Sequence, residues 1–368
     1  LEVLLSYAHV APTEDPLHGR YAKAFATAAA RCSAVYLARP TAASLLDILL
    51  LPKVLALARE GGLGQPIAET LRKYPNIRPP APLPPPIMEP LTPPRSPSPP
   101  IPQDISELQP KTLEKAQKLL KRGYLSRAVR TLISDARPAP LTAENLEILR
   151  KKHPPGPPRP FGGSLKPRSG RAPSKDTIWA AIRSLPTETS AGLSGWTKAL
   201  TEIATKEPQF ASFLELLGKQ IVQGTAHGRD LLLAARLVAL TKEDGGLRPI
   251  AVGDLLYRVV AKAILRENYS PSSLLPYQLG VGSPGGVEPA LRAIERTVFG
   301  DQKAQFSRIT SLDFSNAFNT VDRTAMAKGI YKYAPDFYRL AQWAYGEPSI
   351  LATTGGPLLT SAQGVRQG

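Results

Sequence analysis

The sequence predicts an α+β fold from three observations. Ala- and Leu-rich stretches at 21–38 and 42–60 have the composition of helices. Two pairs of β-prone segments, 236–240 with 247–252 and 350–354 with 357–360, are each joined through a Gly-Gly, which accepts the positive φ of a hairpin turn. A strand-like run with Ile309, Leu312 and Phe314 carries Asp313 at its end and gives way to the small and polar Ser315 and Asn316, ahead of a helical pattern.

In chain order, residues 1–74 form a helical N-terminal region. Thr41 is placed to cap the second helix, Gly61-Gly62 to stop it, and Pro52 to kink or divide it. Residues 75–103 are a proline-rich linker, RPPAPLPPPIMEPLTPPRSPSPPIP at their centre, which favours an extended polyproline conformation. The chain has 39 prolines in 368 residues, about twice ordinary usage. A basic helical region, 104–153, shows helical patterns over 113–134 and 142–151. Thr142 caps the second of these, and His153-Pro154 ends it. Residues 154–173 read as a second linker, basic and rich in Pro and Gly.

The globular part spans 174–368. Ile178, Ile182 and Leu185 mark an amphipathic helix, residues 190–196 a Gly-rich loop, and 213–221 a further helix. After the first hairpin, Asp254 caps a helix that buries Leu256, Val259, Val260 and Ile264. Its other face repeats Arg258, Lys262 and Arg266 every fourth residue. Asp322 is placed to cap a helix through Ala325, Met326 and Ile330.

Net charge is +16, and residues 111–175 carry sixteen Lys or Arg against four Asp or Glu. Such a block favours a polyanionic partner, nucleic acid or an acidic membrane surface. No apolar run is long enough to span a membrane. The single cysteine, Cys32, excludes an internal disulfide and fits a reducing, intracellular setting, the nucleus among the candidates.

The segment LDFSNAFNTVDR, 312–323, resembles the first catalytic motif of reverse transcriptases of the non-LTR retrotransposon type. Three more stretches resemble that family in the expected order: TKEDGGLRPIAVGDLLYRVVAKAI from Thr241, PYQLGVGSPGGVEPALRAIE from Pro276, and QGVRQG at the end. The resemblance implies a right-hand polymerase, here its fingers and partial palm, that copies an RNA template from a DNA primer using deoxynucleoside triphosphates. It implies that Asp313, with the backbone carbonyl of Phe314, holds two Mg2+ ions. Two hard cations stabilise the charge that develops on the attacking and leaving oxygens. Lys242 and Arg248, on opposite arms of the first hairpin, would close on the triphosphate, where fixed cations offset spreading charge. Phe318 takes the place of the ring that excludes a 2′-hydroxyl. Gln367 would pack on the nucleotide and Gly368 would let the backbone approach it. Arg258, Lys262 and Arg266 would track the template. Ser194, Arg292 and Asn319 depart from the family's usual acid, His and Asp.

On its own, Asp313 reads equally as a turn residue, Phe318 as a core ring, and the basic stripe as a solvated face. The sequence begins at Leu1 without an initiator Met and stops at Gly368 inside a motif, so it reads as a fragment at both ends; in the family a paired Asp-Asp follows. The competing function is a non-catalytic RNA-binding scaffold on a decayed polymerase core. RNA-dependent RNA synthesis is a third, disfavoured by the ring at 318.

Overall fold

The computed structural model describes residues 1–13, 17–60, 67–78, 80, 110–121, 128–129, 131–132, 138–162, 168–242, 245–270, 278–279, 287–299, 310–353 and 356–366. Helices α1 (Glu2–Ser6), α2 (Gly19–Ala38), α3 (Ala42–Arg59) and α4 (Ile67–Lys73) open the chain, and α5 (Pro110–Lys121) and α6 (Ala143–Lys152) follow. Next come α7 (Lys175–Arg183), α8 (Lys198–Thr205), α9 (Pro208–Gln223) and α10 (Arg229–Leu233). The hairpin β1 (Ala235–Thr241) and β2 (Leu247–Val252) leads into α11 (Leu255–Asn268) and α12 (Val287–Phe299). The chain continues through α13 (Ala317–Thr320), α14 (Arg323–Tyr333) and α15 (Tyr338–Tyr345) to β3 (Ser349–Thr353) and β4 (Leu358–Ser361). Among the described residues no helix is long and apolar enough to cross a membrane. Most of the proline-rich linker lies outside them.

Side-chain caps fix the helix starts that the sequence announces. Thr41 Oγ1 accepts from Ser44 N at 3.2 Å while Thr41 N donates to Ser44 Oγ at 3.1 Å, a reciprocal capping box. Asp254 Oδ1 accepts from Leu256 N at 2.9 Å, and Asp322 Oδ1 from Ala325 N at 2.6 Å.

Pro52 does not divide α3, which runs unbroken through it. Every residue from Ile48 to Ala58 is buried, and a helix apolar all round must be enclosed. Proline has no N–H, so the carbonyl four residues earlier, on Ile48, loses its helical partner. Trp196 Nε1 fills the gap, donating to Ile48 O at 3.0 Å. The Trp196 ring meets Phe25 edge-on at 5.5 Å, and Tyr36 donates to Gln220 Oε1 at 2.7 Å. The N-terminal helices and α7–α11 therefore close on one continuous core.

The sheet order is β2-β1-β3-β4, with β1 antiparallel to β2 and parallel to β3, and β3 antiparallel to β4. Beyond Leu237 the β3 side of β1 is taken over by residues 138–139, where Ala139 N donates to Ala239 O at 2.9 Å. This brings α6 onto one face, where Leu149 packs with Ala235, Leu237, Ala239, Leu351 and Leu359. The stretch after α6, expected as a linker, is packed at two points. Gly156 lies so close to residue 362 that a Cβ would stand 1.9 Å from the Ala362 carbonyl oxygen. Phe161 meets Tyr338 edge-on at 5.5 Å.

The expected strand at 309–314 is corrected by the structure: residues 310–314 form no strand and are exposed, and Ile309 lies outside the described residues. A β-prone run becomes a strand only with a ladder partner. Both edges of β1 are already occupied, and none of the four strands pairs with 310–314.

The Ile48 carbonyl gives a direct test of the core. Trp196→Phe should destabilise the protein by about 1–3 kcal/mol through the unsatisfied buried acceptor. In a Pro52→Ala background, where residue 52 regains its N–H, the same change should cost less. Urea unfolding of the four proteins measures the cycle; strict additivity would show that the Trp196 bond is unimportant.

Candidate nucleotide site and nucleic-acid surface

The segment Asn316 to Arg323 is a tight corner. Asn316 has a left-handed backbone, φ 55°, which Asn tolerates better than most residues. Its Nδ2 donates to Lys152 O at 2.9 Å, and Asn319 Nδ2 donates to Asn316 Oδ1 at 2.8 Å. The corner is joined to the C-terminal motif by Val365 N donating to Phe318 O at 2.7 Å and Gly364 N to Val321 O at 3.0 Å. Gly364 has φ 71°, and a Cβ there would lie 2.3 Å from Phe318 O, so glycine is required.

Arg323 locks the same junction and is only 2% exposed. It donates to Gly364 O at 3.0 Å, Ser361 O at 3.2 Å and Tyr345 O at 3.3 Å, with its guanidinium 5.3 Å from the Tyr345 ring centroid. Sequence reading passed over this residue, although a charged residue directly after a capping Asp was a usable signal. Arg229 acts similarly at the C-terminal end of α15, donating to Trp343 O at 2.6 Å and Ala344 O at 3.1 Å.

The corner, the first hairpin and the C-terminal motif line one small pocket. Pro249 and Ala251 come from β2, Asn319 from α13, Val365 and Arg366 from the last motif, and His153 from the end of α6. The free space is about 10 Å³, room for one water molecule. Arg366 Nη2 donates to Ser349 Oγ at 2.9 Å, while its Nη1 is buried without a partner. Burial, with a lesser effect of Lys152, holds the His153 imidazole below its usual pKa. Gln367 and Gly368 lie outside the described residues.

Asp313 and Phe314 stand apart from this pocket, on the exposed stretch before the corner. Leu312 is 75% exposed, Phe314 71% and Phe318 49%, so the Phe318 ring is not in the core. Among the described residues no group of three His, Cys, Asp or Glu side chains could hold a metal ion. One exposed carboxylate does not fit a pair of hard divalent cations, which need several converging oxygen ligands.

Arg248 pairs with Leu240 across the hairpin and so shares the sheet face of Arg236, opposite that of Pro249 and Ala251. Lys242 and Arg248 are both exposed at the hairpin end. Arg258 turns back to donate to Ser190 O at 3.2 Å, and Arg236 to Ala191 O at 3.2 Å, so both hold the Gly-rich loop. Lys262 and Arg266 remain on the outer face of α11. Burial first, then the like charges of Arg266 and Arg258, lower the Lys262 pKa.

Beneath the Gly-rich loop lies a buried charge cluster that the sequence did not reveal. Lys53, 2% exposed, donates from Nζ to Val10 O. Its side chain passes under Gly195, where a Cβ would stand 3.3 Å from Lys53 Cε. Burial, with help from Arg236, pulls the Lys53 pKa down to about 8, against a partial offset by Asp254. Burial raises the Asp254 pKa, and its Oδ2 is buried without a hydrogen-bond partner.

Neither a protein-family model nor a curated protein matches the chain.

The Lys53 shift predicts a pH dependence. Folded Lys53 releases its proton near pH 8 and the unfolded lysine near 10.5, so between these values the unfolded chain holds more protons. This group's contribution to stability should therefore rise with pH across that window. Urea midpoints of wild type minus those of Lys53→Met, measured across the window from about pH 8 to 10.5, isolate it. A flat difference would show an unperturbed lysine.

Proposed function

We propose that this protein belongs to the class of nucleic-acid-binding proteins built on polymerase fingers and palm. More particularly, it is of the reverse-transcriptase type found in non-LTR retrotransposons, with an RNA template and DNA primer as partners. The observation that supports this reading most is the convergence of three motif segments on one pocket. Pro249 and Ala251, Asn319, and Val365 and Arg366 are far apart in sequence, yet they line one pocket, and the Arg366 Nη1 is buried without a partner.

In this reading, Lys242, Arg248, Lys262 and Arg266 attract and align the phosphate backbone, and Phe318 offers an exposed ring beside the incoming sugar. Magnesium would supply the nucleotidyl-transfer chemistry of the family, but the described residues do not assemble its ligands. The lone exposed Asp313 favours the second reading, an RNA-binding scaffold, for residues 1–368 taken by themselves. Without converging carboxylates the transition state loses several orders of magnitude in rate, since about 1.4 kcal/mol is tenfold.

Two measurements test these statements. RNA affinity should fall linearly with the logarithm of salt concentration, and Lys262→Gln with Arg266→Gln should reduce that slope by about 0.7 per residue on single strands. An unchanged slope would remove the stripe from the interface. Primer extension on an RNA template with magnesium and deoxynucleotides should give no product from residues 1–368, while Asp313→Ala keeps full RNA affinity. Product that vanishes in Asp313→Ala would overturn the non-catalytic reading.

A further inference from the structure

The strap after α6 forms a second cleft that none of the motif segments lines. It is open, with a volume of about 400 Å³, and lies between the 159–162 turn and the C-terminal end of α15. That size is within the range of small-ligand sites, about 300–1,000 Å³. Phe161 and Trp343, each 7% exposed, show an apolar edge at its floor, while Arg159, Gln342 and Glu347 supply polar groups at its rim.

Arg159 sets this cleft apart. Its backbone is left-handed, φ 51°, and among the described residues only Asn316 is another non-glycine residue with positive φ. Arginine has no side-chain carbonyl to ease that conformation, and such strain persists where surrounding structure imposes it, often at functional sites. Its guanidinium makes no hydrogen bond or ion pair among the described residues. Arg229 differs: its donors are spent on Trp343 O, Ala344 O, Pro348 O, Glu347 O and Asp230 Oδ1. Among the described residues Arg159 is thus the free cation of the cleft, and Arg229 holds the wall behind it.

The geometry points to a binding site for a single ribonucleotide unit. The Arg159 guanidinium takes the phosphate through charge-assisted, forked hydrogen bonds. The exposed Gln342 amide, both donor and acceptor, reads a base edge. The Glu347 carboxylate, exposed while its backbone carbonyl is held by Arg229 and Arg323, accepts from ribose hydroxyls. The base rests on the exposed edges of Phe161 and Trp343. A 2′-hydroxyl adds a donor for Glu347 that deoxyribose lacks, so the cleft favours RNA over DNA. This site stands independently of the polymerase reading, because it needs neither Asp313 nor the pocket at Arg366.

The test is calorimetric titration of residues 1–368 with AMP, dAMP and inorganic phosphate, alongside thermal unfolding. AMP should bind more tightly than dAMP, and both more tightly than phosphate. Arg159→Gly should lower AMP affinity about tenfold or more while raising the Tm, because glycine relieves the left-handed strain. Glu347→Gln should narrow the difference between AMP and dAMP. A structural turn residue would not weaken binding and stabilise the fold in one substitution. Phosphate binding as tightly as AMP, AMP affinity unchanged in Arg159→Gly, or a lower Tm in that variant would each overturn the proposal.

Discussion

The carbonyl of Ile48 is the constraint around which the helical core is arranged. Pro52 strips it of its partner within a helix that is buried on every side, where an unpaired carbonyl is costly. The Trp196 indole is the group that satisfies it, and Trp196 belongs to the Gly-rich loop, well over a hundred residues away in the chain. To reach it, the loop must lie flat on α3, which Gly195 permits with φ 83° and no side chain above Lys53. The same loop is held from its other side by Arg236 and Arg258. One missing N–H thereby fixes the N-terminal helices against the hairpin and α11.

A second set of joints is made by guanidinium groups on backbone carbonyls. Arg323 and Arg229 both reach the turn after α15, and both bond the Glu347 carbonyl. Here arginine supplies several donors in a rigid fork, which lysine could not match. These bonds keep β3 and β4 in place beside β1 and tie the corner at 316–323 to residues 361–364. The strap from α6 adds to this from the other face, through Leu149, Gly156 and Phe161.

The functional surfaces are divided accordingly. Cations whose donors are spent on backbone carbonyls serve the scaffold: the buried Arg323 and the half-buried Arg229, Arg236 and Arg258. The exposed Arg248, Arg266 and Arg159 and the half-buried Lys262 keep their charge at the surface. The basic surplus of residues 111–175 includes structural as well as solvent-facing charge, since Arg171 Nη2 donates to Glu267 O at 2.6 Å while Arg159 is exposed.

By itself the sequence determined the local elements. Capping by Thr41, Asp254 and Asp322, the apolar face of α11 and the glycine-joined hairpins are all short-range, and a side chain next to its own backbone needs no tertiary partner to declare its role. The Lys262–Arg266 stripe was legible for the same reason, as helical period alone places it. What required the tertiary structure was every long-range assignment. The run before Asp313 has strand propensity but no ladder partner, so it is not a strand. Arg258 resembled its stripe neighbours until the Ser190 carbonyl claimed it. Lys53 and Arg323 owe their properties to burial and to carbonyls contributed by distant segments, and the Arg159 cleft to the packing of the strap beside α15. Composition and spacing record which groups a chain carries; only packing decides which of them lose their water and which find a partner.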